Sequence, residues 1–301
     1  MLVWAYEGIT DAAAAVLSAA GHYVYTHRTW YPWIEDHRIP FALWTRLSPF
    51  WGPWHPDVVA WKPVLVATPC TDSSHCDFTR KKGVKVLSLR DCGDLSGIRA
   101  TVEHTIVSIL SLTRRIPSAV ESVRRGEWDR MRWQGTDLAG KSALVIGWGR
   151  IGKAVGETLE TIGMDVHLYE KWMHYEALKL KLRQADLVTV HADLNETSRG
   201  MFGRVEFAAM KPGALFINTA RGAIVDEAAL LDALESGHLG GAALDVLIDE
   251  PPKPDNPLLR FARENPERLI VTPHLGGCTR ESMERAEVLL AKRLVEELEK
   301  C

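Results

Sequence analysis

A short glycine-rich segment constrains the fold of this chain more than any other feature. Gly147, Gly149 and Gly152 form the pattern G-x-G-x-x-G, which follows an apolar run at 143–146. The pattern opens a segment whose apolar residues recur at helical spacing, namely Ile151, Val155, Leu159 and Ile162. This order predicts a strand, a tight turn and a helix, which is the repeating unit of a parallel α/β sheet.

The same segment predicts a pyrophosphate site. Gly147 permits the tight turn, Gly149 lets the backbone approach the phosphates, and Gly152 lets the helix pack closely on the strand. The helix begins with Arg150 and Ile151, where unpaired backbone amides face a bound anion. We therefore expect these residues to hold a dinucleotide.

Glu170 is the candidate for the ribose of that dinucleotide. It ends a second predicted strand, 165–169, roughly twenty residues after the glycines, where an acid usually binds the ribose hydroxyls. A carboxylate there repels a 2′-phosphate, so the sequence favours NAD over NADP. Lys171 follows it, either as a solvated surface charge or as a cation that helps to accept a 2′-phosphate.

Three motifs in the last third of the chain each place a reactive side chain after a short apolar run. They read N-T-A-R-G at 218–222, D-V-L-I-D-E-P at 245–251 and T-P-H-L-G-G at 272–277. The side chains are Arg221, Glu250 and His274. Because ligands of open α/β sheets bind at the carboxyl ends of the strands, we expect these three to form one site.

The three side chains suit the reduction of a 2-keto acid. Arg221 offers a planar fork of donors for a carboxylate. His274 titrates near neutrality and exchanges a proton with a carbonyl or hydroxyl oxygen. Glu250 fixes the tautomer of His274 and raises its pKa. Taken singly, each residue also fits a structural role as an ion pair, a helix-capping carboxylate or a loop histidine.

In this order the motifs resemble the D-isomer-specific 2-hydroxyacid dehydrogenases, from about Gly83 to Leu298. Further matching blocks are 100–104, 187–191, 211–217, 225–227 and 241–246. The resemblance implies that Arg221, Glu250 and His274 are the catalytic residues. It implies cofactor contacts at His191, Thr219, Asp245 and Gly276. Asp245 is expected on the nicotinamide amide, although a capping or loop carboxylate is the alternative.

The resemblance also implies a fold and a function. We expect an α/β protein with a Rossmann-type doubly wound parallel sheet, residues 94–276, and a second, smaller flavodoxin-like α/β domain, residues 1–93 plus 277–301. The substrate would lie between the two domains. The expected function is NAD-dependent interconversion of a 2-keto acid and a D-2-hydroxy acid. An NAD(H)-sensing binding protein, like corepressors that resemble the family, is the alternative.

Two segments depart from the family pattern. After His191 the family usually has a proline, whereas this chain has Asp193, which is expected to alter affinity on the adenine side. Upstream, the family's glycine-rich substrate loop is replaced by the segment 68–77, which contains no glycine. The backbone amides of that segment can still bind a carboxylate.

Composition excludes several other classes of function. The chain has 301 residues, 46% of them hydrophobic, and a net charge of -3, so it can form two domains and lacks the basic surface of a nucleic-acid-binding protein. No apolar stretch approaches the roughly 20 residues of a membrane span, and we expect a cytoplasmic protein. The five cysteines are odd in number and lack zinc-site spacing, so we expect reduced thiols and no metal.

Two apolar stretches have more than one interpretation. Six of the 11 tryptophans fall between Trp30 and Trp61, where they form either a core or subunit contact, or an aromatic wall that selects a bulky 2-keto acid. The segment 106–112, followed by Trp128 and Trp133, predicts a homodimer. The alternative is an interior helix with the tryptophans folded back on their own subunit.

Overall fold

The chain alternates strands and helices along most of its length. The structure is a computed structural model that describes residues 1–5, 8–26, 40–45, 63–71, 76, 80–81 and 83–300. Its strands are β1 Leu2–Ala5, β2 Tyr23–Tyr25, β3 Phe41–Trp44, β4 Leu65–Thr68, β5 Lys85–Ser88, β6 Ser142–Ile146, β7 Asp165–Tyr169, β8 Leu187–Val190, β9 Leu215–Asn218, β10 Gly241–Leu244 and β11 Leu269–Val271. Its α-helices are α1 Asp11–Ala19, α2 Ala100–Thr113, α3 Ile116–Arg124, α4 Arg150–Ile162, α5 Tyr175–Leu182, α6 Arg204–Ala209, α7 Glu227–Glu235, α8 Pro257–Glu264 and α9 Arg280–Leu298.

Two compact units divide the chain. The first comprises Met1–Arg99 and Thr279–Cys301, and the second comprises Ala100–Cys278. Both boundaries between the units lie a few residues later in the chain than the boundaries expected from the sequence. A substrate-binding role for the first unit stays a prediction. Most of the tryptophan-rich stretch and part of the segment 68–77 lie outside the described residues.

The first unit contains a five-stranded parallel sheet in the order β2-β1-β3-β4-β5. This is the flavodoxin-like strand order. Helix α9 returns to this sheet, where Leu290 and Leu294 join Leu17 of α1 in one apolar core. Glu287 of α9 is buried and accepts the backbone N–H of Thr10 at 2.5 Å, at the start of α1. That contact satisfies one of the unpaired amides at the beginning of the helix.

The second unit contains a six-stranded parallel sheet in the order β11-β10-β9-β8-β6-β7. The chain runs from β6 to β7 on one side, and then crosses to β8 on the other side of β6. Strands that diverge in this way leave a crevice at their carboxyl ends, where ligands of such sheets bind. The crevice lies between β6 and β8.

Side chains alternate between two cores on the two faces of this sheet. Val188 and Phe216 lie in the core under α5, α6, α7 and α8. The residues next to them, Leu187 and Ile217, lie in the core under α2 and α4. Helices therefore cover both faces, and the predicted Rossmann-type doubly wound sheet with a smaller flavodoxin-like domain is confirmed.

The glycine turn between β6 and α4 leaves no room for a side chain at two of its three glycines, Gly147 and Gly152. A Cβ atom at Gly152 would lie 1.9 Å from the carbonyl oxygen of Gly147. Gly147 has φ of +89°, and its Cβ would lie 2.9 Å from the backbone nitrogen of Ala192. Gly149, in contrast, has φ of -74° and no atom within 4 Å of the corresponding position.

The contrast predicts that one added methyl group destabilises the fold at Gly152 and has little effect at Gly149. Replacing Gly152 by Ala should lower the free energy of unfolding by about 1–3 kcal/mol or more, because the new Cβ overlaps the backbone of the turn. Replacing Gly149 by Ala should change it by less than about 1 kcal/mol. Urea unfolding followed by circular dichroism measures both values. Equal stabilities for the two variants would contradict the close packing described at Gly152.

Candidate active site

Arg221, Glu250 and His274 follow three neighbouring strands of the second unit. Arg221 follows β9, Glu250 follows β10 and His274 follows β11. These strands pair in parallel, side by side. Their carboxyl ends therefore share one edge of the sheet, and the three loops meet there.

His274 and Glu250 form a hydrogen-bonded pair. The Nδ1 atom of His274 lies 2.5 Å from Oε2 of Glu250, and the backbone N–H of Leu247 donates to Oε1 of Glu250 at 3.0 Å. The hydrogen bond with Glu250 raises the pKa of His274, although burial opposes the increase. Burial raises the pKa of Glu250, but its hydrogen bonds from His274 and Leu247 outweigh burial and leave that pKa below its ordinary value. These directions favour an imidazolium beside a carboxylate.

The guanidinium of Arg221 acts on the same pair through its charge. It lowers the pKa of both Glu250 and His274. At His274 this effect is smaller than that of the hydrogen bond with Glu250, so the pKa of the histidine stays raised. The arginine donates from Nη1 to the carbonyl oxygen of Ala220 at 2.6 Å. A cation, an anion and a titratable ring thus share one edge of the sheet.

The loop that carries Arg221 packs directly against the loop that leads to Glu250. A Cβ atom at Gly222 would lie 2.0 Å from the carbonyl carbon of Leu247, so only glycine fits. Within the first loop, Asn218 accepts the N–H of Ala220 and donates to the carbonyl of Arg221, both at 3.0 Å. The side chain of one strand-end residue therefore fixes the turn that presents the arginine.

The backbone of His274 has a left-handed conformation, with φ of +54°. A residue other than glycine in this region costs about 1–3 kcal/mol, and such strain persists where surrounding contacts impose it. The N–H of His274 donates to the carbonyl oxygens of Asp245 at 2.9 Å and Thr272 at 3.0 Å. These bonds hold the residue in a turn directly after β11.

Asp245 holds the rest of that turn. Its carboxylate is buried and accepts the hydroxyl of Thr272 at 2.6 Å and the backbone amides of Leu275 at 2.8 Å and Gly276 at 2.7 Å. A Cβ at Gly276 would lie 2.9 Å from this carboxylate. The observed contacts are those of a loop carboxylate, and the expected contact of Asp245 with the nicotinamide amide stays a prediction.

The glycine turn fits a dinucleotide pyrophosphate. The N-cap residue of helix α4 is Gly149, which has no side chain to cap the helix, so the backbone amides of the first turn face the side of the turn where an anion can approach. The space beside Gly149 is open, as close approach of phosphates requires. Glu170, at the end of β7, accepts the backbone N–H of Trp148 within the same turn. The carboxylate that is expected to bind the ribose therefore lies next to the turn that is expected to bind the pyrophosphate.

Two further predicted cofactor residues lie at neighbouring strand ends. His191 follows β8, its Nε2 lies 2.9 Å from the hydroxyl of Thr189, and burial lowers its pKa to about 3. The ring is therefore neutral at physiological pH. Thr219 follows β9 and is buried, with its hydroxyl 2.8 Å from that of Thr105 on α2. Their contacts with the cofactor stay predictions.

Residues 106–276 match the NAD-binding domain of the D-isomer specific 2-hydroxyacid dehydrogenases. The chain belongs to this family. Among curated relatives, D-3-phosphoglycerate dehydrogenase of Archaeoglobus fulgidus is 38% identical over 74% of this chain and 43% of its own length. Glycerate dehydrogenase of Methylorubrum extorquens is 34% identical over 79% of this chain and 75% of its own length. The chain thus spans less than half the length of the phosphoglycerate dehydrogenase.

Solved structures show the same dehydrogenase fold along the chain. A protein of Thermus thermophilus has a TM-score of 0.80 and 28% identity, and covers 100% of this chain and 97% of its own. A D-lactate dehydrogenase of Aquifex aeolicus, complexed with NAD and lactic acid, has a TM-score of 0.76 and 22% identity, with 100% and 96% coverage.

No helix in the described part of the chain combines the length and the apolar character of a membrane span.

Sequence reasoning gave no individual role to two polar residues of α2 that reach the strand ends. His104 and Thr105, on α2, contact Asp245 and Thr219 respectively. The sequence contains a partial signal for them, since Glu103, His104 and Thr105 form an unbroken polar run near the start of the helix. Asp193, in place of the family's proline, lies in an exposed turn where its carbonyl accepts the Ser198 hydroxyl at 2.6 Å.

The hydrogen-bonded pair predicts a change in the pKa of His274 when Glu250 is replaced. Replacing Glu250 by Gln should lower the pKa of His274, because the hydrogen bond and the charge that raise it are lost or weakened. Nuclear magnetic resonance titration of the imidazole measures this pKa directly. The matched control is His167→Gln, at a side chain that is as exposed as that of His274 (38%), and it should leave the midpoint of His274 unchanged. An unchanged midpoint for His274 would show that Glu250 does not control its protonation.

Proposed function

We propose that this chain is an NAD-dependent dehydrogenase that interconverts a 2-keto acid and a D-2-hydroxy acid. The observation that carries the proposal is the pair formed by His274 and Glu250 at 2.5 Å, with the loop that leads to Glu250 packed against the loop of Arg221. The pair and the arginine supply a proton donor and a carboxylate partner at one edge of the sheet. An intact set of this kind favours an enzyme over an NAD(H)-sensing binding protein.

His274 is the proton donor for the keto oxygen. Its Nδ1 atom is engaged by Glu250, so the proton that it transfers is the one on Nε2. The raised pKa of His274 keeps the ring protonated closer to neutral pH, which suits reduction of the ketone. In the reverse direction the neutral ring accepts the proton of the hydroxyl group.

Arg221 binds the carboxylate of the substrate. A guanidinium remains charged at all relevant pH values and matches a carboxylate in two parallel hydrogen bonds. That contact orients the keto carbon relative to His274. The positive charge also offsets the negative charge of Glu250, so the site accepts an anion.

The second unit holds the cofactor through its own residues. The amides at the start of α4 and the open space beside Gly149 bind the pyrophosphate, and Glu170 binds the ribose. NADH, when bound, supplies the hydride for the second carbon of the substrate. Because Glu170 repels a 2′-phosphate, we expect NADH to be preferred over NADPH, even with Lys171 beside it.

The substrate is proposed at the level of its chemical class. Two of the relatives are named for 3-phosphoglycerate and glycerate, so small 2-hydroxy acids of three carbons are the first candidates. The first unit, which is the expected source of substrate contacts, includes segments outside the described residues. The cytoplasmic location expected from the sequence stays a prediction.

A homodimer is proposed from the apolar surface of α2, α3 and the segment after them. The exposed apolar side chains of this surface are Val107, Leu110, Ile116, Val120, Val123, Trp128 and Met131. Trp128 is 90% exposed, whereas Trp133 folds back and donates from its indole nitrogen to Ser122 at 2.9 Å. Exposed apolar surface on neighbouring elements is typical of an interaction site, and the occupant that we propose is the same surface of a second copy.

Turnover of 2-keto acids tests the proposed activity. Wild-type protein should oxidise NADH with hydroxypyruvate, glyoxylate or a related 2-keto acid, and should use NADPH less efficiently. Replacing His274 by Ala should lower kcat by about 10² to 10⁴, the usual contribution of general acid catalysis. The matched control is His167→Ala, which removes an equally exposed imidazole from β7 and should keep wild-type kcat. Wild-type turnover in His274→Ala would rule out the proposed proton donor.

Light scattering tests the dimer. Wild-type protein at low micromolar concentration should have twice the chain mass of 33.6 kDa. Val107→Glu should shift the equilibrium to the monomer, because it places a charge on the apolar surface. Val205→Glu is the control, since Val205 on α6 is 60% exposed and Val107 is 59% exposed. A wild-type monomer, with or without NADH, would refute the dimer.

A further inference from the structure

The turn that carries His274 is organised around one residue of the neighbouring strand end. Asp245 receives three consecutive backbone N–H groups, that of His274 on its carbonyl and those of Leu275 and Gly276 on its carboxylate. Successive amides that converge on one acceptor residue fix the backbone angles between them. The left-handed conformation of His274 therefore depends on where Asp245 is held.

His104 reaches this carboxylate from α2. Its Nε2 atom lies 3.1 Å from Oδ1 of Asp245 and 3.1 Å from the hydroxyl oxygen of Thr272. Thr272 donates its hydroxyl hydrogen to the same Oδ1 at 2.6 Å. Its oxygen consequently faces His104 as an acceptor, and a carboxylate is also an acceptor. Nε2 must then carry a hydrogen, which it donates to Thr272 while Oδ1 of Asp245 lies 3.1 Å away.

The first turns of α2 are anchored at the same edge of the sheet. Thr105 donates to the carbonyl of Thr101 at 2.7 Å, so its oxygen accepts the hydroxyl of Thr219, 2.8 Å away after β9. A Cβ at Gly276 would lie 3.5 Å from Cγ2 of Thr101. Helix α2 thus contacts the ends of β9 and β10 through adjacent residues, and it brings a rigid donor to Asp245.

We propose that His104 is a positioning residue for His274. Its Nε2–H donates to Thr272 and lies beside the carboxylate of Asp245. Thr272 and Asp245 in turn accept the backbone amide of His274, and Asp245 also accepts those of Leu275 and Gly276. This role rests on the proposed function of His274 as proton donor. His104 does not touch the substrate in this role. Its loss leaves Arg221 and Glu250 in place but lets the turn at 272–276 relax.

Four variants test the geometry of this donor, three of them at position 104. His104→Leu removes it and should lower kcat about ten- to hundredfold, the cost of displacing a catalytic group by about 1 Å, with KM for the keto acid nearly unchanged. His104→Gln places an amide nitrogen near the position of Nε2 and should restore most of kcat. His104→Asn is too short and should resemble Leu. Glu103→Gln, on the exposed side of the same turn of α2, is the control and should match wild type.

A double-mutant cycle separates positioning from general damage to the fold. If His104 acts through His274, His104→Leu should change kcat less than about twofold in a His274→Ala background. An undiminished loss in that background would overturn the proposal. So would wild-type kcat in His104→Leu. Thermal unfolding of each variant identifies any that does not fold. If His104→Leu does not fold, the difference in kcat between His104→Gln and His104→Asn tests the proposal instead.

A readout without turnover separates this proposal from the proposed function. Glu250, Arg221 and Asp245 act on the pKa of His274. In His104→Leu the hydrogen bond with Glu250 loses alignment, so the pKa of His274 should fall, and it should return in His104→Gln. If wild-type protein reduces no 2-keto acid, the proposed function fails, and this titration alone decides the role of His104. An identical His274 titration in all variants would overturn the positioning role.

Discussion

The parallel register of β9, β10 and β11 is the constraint on which the site depends. Asn218, Leu244 and Val271 end these strands in neighbouring register, so every loop that follows begins at the same edge. Interstrand hydrogen bonds set strands about 4.8 Å apart, which brings side chains from distant parts of the sequence within contact distance. The loops need only short turns to bring an arginine, a glutamate and a histidine together. Glycine at position 222 then lets two of these loops touch.

Opposing charges act on the protonation of the His274 ring. Glu250 raises the pKa of His274 and Arg221 lowers it, so the two partners work against each other at one imidazole. An acid that must donate and then recover a proton benefits from this balance, since efficiency is greatest when the pKa lies near the working pH. The same arginine serves the substrate carboxylate in the proposed reaction. One cation thus tunes the acid and receives the anion.

The sequence predicted the parts of the fold that follow local rules. The glycine turn, the acid that ends β7 and the three reactive residues after strands are all visible as short patterns with a mechanical reason. The contacts of Asp245 and His104 were not predictable in this way, because they depend on how α2 lies across the strand ends. The low pKa of His191 likewise arises from burial, which no local sequence pattern reveals. The tryptophan-rich stretch keeps both of its interpretations, since most of it lies outside the described residues.

The order of the two units along the chain has a consequence for biosynthesis. The second unit is continuous, from Ala100 to Cys278, whereas the first is assembled from segments on either side of it. Leu290 and Leu294 of α9 complete the core of the first unit, but the ribosome produces them after the whole second unit. Because domains generally fold as units during synthesis, the early segment emerges with part of its apolar core uncovered. The nucleotide-binding unit can therefore finish folding first, and the first unit completes its core only after α9 has been synthesised.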